Sequence, residues 1–214
     1  MSKGNKYGYS GVDIPTQGFQ SNVGKFDPAE INELVQEGKW TSFGQLELIE
    51  TKTASSDSQI IFDNIKQDIY NVHFLTITNF SPSVNQTGLF CRFYENGVEE
   101  AGSVYEYAHQ YVGSNGAANE QKSTSLAYLR MIGSVGDATN RVGNGYSYFY
   151  NLGDSTKYSF QTYQNNNIDQ TNVFYGVFGS GVLRQASVVD QIKLYVSSGT
   201  FNCSLSLYGI KEYS

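Results

Sequence analysis

Apolar and polar residues alternate with a period of two over much of the chain after Trp40, most clearly near its end. In 191–196 Ile192, Leu194 and Val196 share one face, in 203–210 Cys203, Leu205 and Leu207 do, and Ser197-Ser198-Gly199 lies between the runs. Such alternation marks strands with one buried and one wet face, so the two runs are expected to pair as a closing β-hairpin. Earlier strand candidates are 45–52, 58–65, 70–79, 88–95, 103–112, 124–133, 145–151, 157–164 and 172–179, and 190–196 and 202–211 complete the series. Ser81-Pro82-Ser83, Asn96-Gly97, Ser114-Asn115-Gly116, Gly143-Asn144-Gly145, Gly179-Ser180-Gly181 and Ser198-Gly199 punctuate them, and these residue types supply tight turns and left-handed conformations. About ten strands with no long helix between them imply antiparallel pairing in an all-β fold, expected to be a jelly-roll-like β-sandwich over 41–214.

Residues 1–40 carry no such alternation. Gly4, Gly8, Gly11, Gly18 and Gly24 interleave with Tyr7, Tyr9, Phe19 and Phe26, and apolar rings on an extended arm make physical sense when the arm lies against another subunit. One short helix is signalled inside this arm. Asp27 suits the cap, Pro28 the first helical position, Glu30 a capping box and Gly38 the stop. Phe26 and Ile31 have the spacing of a hydrophobic staple. Ile31, Leu34 and Val35 give the helix one apolar face, and a helix of roughly ten residues needs that face packed in order to persist. The anchoring residues are therefore expected to be Tyr7, Tyr9, Phe19, Phe26, Ile31, Leu34, Val35 and Trp40.

Composition agrees with the pattern. The 214 residues include 17 Tyr, 13 Phe and 22 Gly but only 3 Pro, and 16% are charged, which favours strands joined by Gly-rich turns. A net charge of −6 without a basic run argues against nucleic acid, whose phosphates demand clustered Lys and Arg. Arg92, set among aromatics in Phe90-Cys91-Arg92-Phe93-Tyr94, is expected on a solvated strand face. The polar start Met1 to Lys6 has no apolar core of a secretion signal, and no run approaches the roughly 20 residues of a membrane helix. Synthesis in a cytosol, without membrane insertion, is expected. Cys91 and Cys203 fall on the apolar parity of their strands, which favours buried thiols over a disulfide, although parity alone leaves a bridge between neighbouring strands open.

Candidate chemistry is sparse. His73 and His109 lie in separate strands with no second ligand at metal spacing, no Gly-x-Ser-x-Gly marks a serine hydrolase, and Glu99-Glu100 point to opposite sides of a strand. The glycine turns do not lead into helices that hold phosphate, and Asp137 and Asn140 lack the spacing of a calcium loop. No catalytic residue, metal or cofactor is therefore assigned. Aromatic binding chemistry remains: Tyr105, Tyr107 and Tyr111 on one strand and Tyr146 and Tyr148, followed by Tyr150, on another suit stacking on a glycan, a subunit contact or plain packing of a half-buried sheet face.

Two segments resemble a known group. Asp190-Gln191-Ile192-Lys193-Leu194-Tyr195, Ser198-Gly199 and Leu207-Tyr208-Gly209-Ile210-Lys211 resemble the last two strands of a β-domain common in structural proteins of tailed bacteriophages, mostly tail-fibre-like or exposed on the virion. Phe26-Asp27-Pro28-Ala29-Glu30-Ile31 with Lys39-Trp40 is similar to the lead-in before such domains. The resemblance implies a non-enzymatic virion protein whose residues 1–40 attach to another virion subunit and whose residues 41–214 form an exposed, tail-fibre or adhesin-type β-sandwich. A short arm alone buries little area and several copies raise avidity, so a homo-oligomer is expected, and a host surface glycan is the ligand that the tyrosines suit. Alternatives are a capsid decoration protein, a glycan-active depolymerase with a carboxylate such as Asp137, and a cellular carbohydrate-binding module.

Overall fold

The computed structural model describes residues 28–36 and 45–212, which belong to two units, Met1–Gly44 and Gln45–Ser214. In the first, helix α1 (Pro28–Gln36) forms where its capping signals place it, with Pro28 at the first helical position. Ile31 and Leu34 are half-buried, whereas Ala29, Asn32 and Glu33 are exposed. Tyr7, Tyr9, Phe19, Phe26 and Trp40 of the expected anchoring arm, and the side chain of Val35, lie outside the described residues.

The second unit contains the strands β1 (Leu46–Asp57), β2 (Gln59–Phe62), β3 (Val72–Pro82), β4 (Thr87–Glu95), β5 (Val98–Glu99), β6 (Tyr105–Gly113), β7 (Ala118–Leu126), β8 (Leu129–Val135), β9 (Gly143–Tyr150), β10 (Tyr158–Ile168), β11 (Phe174–Ala186), β12 (Val189–Tyr195) and β13 (Phe201–Ile210). They form an eight-stranded sheet in the order β1-β13-β3-β9-β10-β11-β6-β7 and a smaller sheet in the order β2-β12-β4-β5, with β8 also paired to β4. Every pairing is antiparallel. With β5, β6, β7, β10 and β11 set aside, the remaining orders β1-β13-β3-β9 and β2-β12-β4-β8 are those of a jelly roll. The all-β sandwich read from the alternation is therefore the fold. The hairpins β6/β7 and β10/β11 are insertions, and both extend the large sheet beyond β9.

Several local expectations are corrected, among them the turns expected at Gly143-Asn144-Gly145 and Gly179-Ser180-Gly181, which lie within β9 and β11. The runs at 190–196 and 202–211 do not pair with each other: β12 pairs with β2 and β4, and β13 with β1 and β3. The Ser-Ser-Gly turn carries the chain from one sheet to the other, so Ile192 and Leu194 face Leu205 and Leu207 across one core. Period-two parity specifies which face is buried but not which strand lies alongside. The candidate 124–133 divides into the end of β7 and most of β8, and the rest of β7 is a strand that alternation does not reveal because almost all of it is exposed.

The core is aromatic and aliphatic. Phe93 of the small sheet meets Phe149 of the large sheet edge-on, with ring centroids 5.6 Å apart, and Phe80 packs on Phe201 at 5.7 Å, geometries that complement the ring quadrupoles. Cys91 and Cys203 are buried free thiols, and burial pushes the Cys203 thiol up to about 12. Arg92 departs from the expected solvated face. Its Nη1 lies 2.7 Å from Glu99 Oε1, its Nε donates to the Ala127 carbonyl, and Lys193 Nζ reaches the other Glu99 oxygen at 2.9 Å. Burial alone would raise the Glu99 carboxyl, but the two cations hold it below its usual value.

The glycine of the Leu207-Tyr208-Gly209-Ile210-Lys211 segment has a specific reason to be there. A Cβ at Gly209 would come within 2.3 Å of the Tyr70 ring, which is buried flat against that backbone. Gly209→Ala is thus expected to displace Tyr70 and cost about 1–3 kcal/mol of stability, the usual penalty of overpacking. Urea unfolding of the two proteins measures the difference.

Candidate functional site

The strands added beyond β9 project past most of the small sheet, and the small-sheet strand packed beneath them is β8. Their inner faces change character accordingly. One row of cross-strand partners runs Leu207, Leu75, Ser147, Tyr163, Gly179, His109, Gln121 from β13 to β7. The leucines lie between the two sheets. From Ser147 onward the row carries no aliphatic side chain, and Ser147 itself is buried with its hydroxyl on Met131 Sδ of β8.

Between this overhang and β8 lies a cavity of about 340 Å³, within the range of small-ligand sites. Its lining comes from Gln86 before β4, His109 and Tyr111 on β6, Gln121 on β7, Arg130, Gly133 and Ser134 on β8, Tyr163 and Asn167 on β10, Asp169 just after it, and Tyr175 and Val177 on β11. Tyr111 and Tyr175 meet edge-on at 5.8 Å, and both contribute to the lining. His109 Nδ1 lies 2.6 Å from the Tyr163 hydroxyl, and the Gln121 side chain also bonds the imidazole. Burial, reinforced by the Arg130 charge, lowers the His109 pKa from 6.5 to about 4, so the ring is neutral at pH 7. Burial also raises the Tyr163 phenol, which stays protonated and can donate to Nδ1. The close seating of His109 depends on Gly179 beside it, where a Cβ would lie 2.3 Å from His109 Cβ.

The wall facing this group is held by side-chain amides. Gln161 Nε2 donates to the Arg130 carbonyl at 3.1 Å, Asn165 Nδ2 to the Met131 carbonyl at 2.8 Å and Asn167 Nδ2 to the Ser134 carbonyl at 2.7 Å. All three amides are buried on the inner face of β10. They form a seam in which side chains of the large sheet bond the backbone of a small-sheet strand, work that a backbone ladder does within one sheet. Asp169 closes the same end. Its carboxylate accepts from Thr171 N at 2.8 Å, Thr171 Oγ1 at 2.8 Å and Val173 N at 3.0 Å. Burial would raise this carboxyl, but these donors and the nearby Arg141 lower it.

The tyrosines singled out from the sequence separate onto two faces. Tyr105 is fully buried, with its hydroxyl donating to the Glu100 carbonyl at 3.0 Å and accepting from Phe93 N at 3.1 Å, and this makes it a core residue. Tyr107 lies under Arg130, 5.1 Å from ring centroid to guanidinium carbon, and Tyr111 lines the cavity. Tyr146 and Tyr148 lie on the opposite, outer face, where both rings pack on Phe74 at 5.8 and 4.7 Å and Tyr208 joins at 6.1 Å. Phe160 and Phe178 extend that outer face and are 44% and 50% exposed. Neither His109 and Arg130 nor the amides of β10 stand out as site residues in the sequence. The available signal was Gln161, Tyr163, Asn165 and Asn167 at period two, an inward face in which amides alternate in phase with a tyrosine.

Among the described residues no group of three or more His, Cys, Asp and Glu side chains is placed to hold a metal ion, and no helix is long and apolar enough to cross a membrane. No protein-family model matches the chain, and neither a curated protein nor a solved structure matches it.

Two outcomes follow from the geometry. Asn165→Ala leaves the buried Met131 carbonyl without its donor and is expected to cost about 1–3 kcal/mol, read as a shift of the urea midpoint at unchanged slope. Acidification acts through His109: the unfolded chain takes up a proton near its ordinary 6.5, the folded chain only near 4, so stability falls as pH drops through that window. His73, buried and lowered as well, adds to the same slope. His109→Gln is expected to flatten the decline in unfolding free energy between pH 7 and 5, leaving the part due to His73.

Proposed function

We propose that this chain is a non-enzymatic structural protein of a tailed-phage virion, in which residues 1–40 anchor it to another virion subunit and the jelly roll serves as an exposed, adhesin-type module that binds a host surface glycan. The observation that carries the binding role is the cavity beside β8, where tyrosine rings, amides and an arginine converge on a volume suited to a short stretch of sugar. Its acid and base are already engaged: Asp169 is tied into its own turn, and His109 is bonded by Tyr163 and Gln121. This supports binding in preference to turnover. The resemblance of the segments around Pro28 and Gly209 to phage virion proteins supports the setting.

The outer face of the large sheet supports assembly as a homo-oligomer. Around Phe74, Tyr146, Tyr148 and Tyr208 the other cross-strand partners are Leu48, Thr76, Thr162 and Gln164, without a charge. Such a surface suits contact with a like surface, and several copies on one particle raise avidity without any new contact.

On this reading the chain is found in purified particles by mass spectrometry, and the purified protein added to host cells lowers adsorption of the phage. Particles that lack the protein, adsorb normally and lose physical stability would instead assign it to capsid decoration.

A further inference from the structure

Resting on the glycan-binding reading of the cavity, we infer that its ligand is an acidic saccharide whose carboxylate pairs with Arg130. Among the described residues Arg130 brings the only cationic side chain to the cavity lining. Among the described residues every ion pair engages other groups, and none involves Arg130. Its Nε is buried with no hydrogen-bond partner, although a guanidinium ordinarily meets acceptors in a planar fork. The head lies over the Tyr107 ring at 5.1 Å, and the backbone from which it springs is held by Gln161 at 3.1 Å. A cation in a prepared position, without an internal counter-ion, matches an anionic group brought by the ligand.

The one carboxylate in the lining does not supply that counter-ion. Asp169 accepts from Thr171 and Val173 in its own turn, and Arg141 is the cation that bears on it. The remaining wall specifies a sugar more than a bare anion. Tyr111 and Tyr175 give flat surface for a pyranose face, while Gln121 and Asn167 give amides for hydroxyls. The cavity thus combines one charge contact with several neutral ones, the chemistry of a uronic or other carboxylated sugar within a glycan.

The test is calorimetric titration of the full chain with oligosaccharides bearing sialic, glucuronic or galacturonic acid, each beside its carboxyl-reduced counterpart, and with a sulfated glycan as a non-carboxylate anion. The expected result is binding to at least one carboxylated glycan, its loss on carboxyl reduction, and weakening by about tenfold to a hundredfold in Arg130→Gln, the usual effect of removing a hydrogen bond to a charged group. Arg130→Lys, which keeps the charge but not the fork, should fall between. Equal affinity for reduced and unreduced glycans overturns the inference but leaves glycan binding intact, as does an Arg130→Gln variant that weakens neutral and acidic ligands alike. Preference for the sulfated glycan also overturns it, by assigning Arg130 to a different anion. Binding to no glycan at all overturns the glycan-binding reading together with the inference. The comparison of reduced with unreduced ligand uses the unaltered protein, so it decides even where a variant fails to fold.

Discussion

The arrangement of the second unit depends on how two sheets of unequal width are joined at their mismatched side. Between β1-β13-β3-β9 and β2-β12-β4-β8 the join is an ordinary dry core, with rings and leucines from both sheets interdigitated. Beyond β9 the large sheet continues and the small one stops at β8. The amides of Gln161, Asn165 and Asn167, bonded to carbonyls of Arg130, Met131 and Ser134, hold the two sheets together there. Their net stabilisation is modest for each bond, but leaving buried carbonyls unmet is costly, so the seam fixes the separation of β8 from β10. That separation sets the cavity.

The seam also determines the electrostatic character of the cavity. Arg130 lines the cavity with its head over the Tyr107 ring and its backbone carbonyl bonded by Gln161. His109 stays neutral beside it, so the lining holds one positive charge on β8 and one negative charge on Asp169 that its own turn absorbs. On the small sheet, by contrast, Arg92, Glu99 and Lys193 compensate one another at contact distance. Two arginines on neighbouring strands therefore differ by the company the fold gives them.

The all-β class, the sandwich and the inward faces of β12 and β13 were legible because alternation reports burial directly, and Ile192, Leu194, Leu205 and Leu207 are all buried. Pairing was not legible: a short turn reads as a hairpin whether the chain doubles back in one sheet or crosses to the other. β7 escaped because Asn119, Glu120, Gln121 and Lys122 are exposed together on an edge strand. The site escaped for a related reason. Asn165 and Asn167 look solvent-facing in a sequence, yet they share the inward parity of Tyr163 and bond the backbone of β8. The tyrosines were recognised as a group but divided by the sheet, with Tyr107 and Tyr111 on one side, Tyr146 and Tyr148 on the other, and Tyr105 absorbed by the core. Of the arm, only Ile31 and Leu34 can be placed, on the half-buried side of α1.

The row from Leu207 to Gln121 has a consequence for how such a molecule changes over generations. Its first two members are locked by close packing, where a single methylene matters, and Tyr163, Gly179 and His109 are closely seated as well, whereas Gln121 at the far end is exposed. Change at that exposed end alters the rim of the cavity while the jelly roll beneath stays as it is, so variability of surface and persistence of architecture are spatially separated along a single line of side chains.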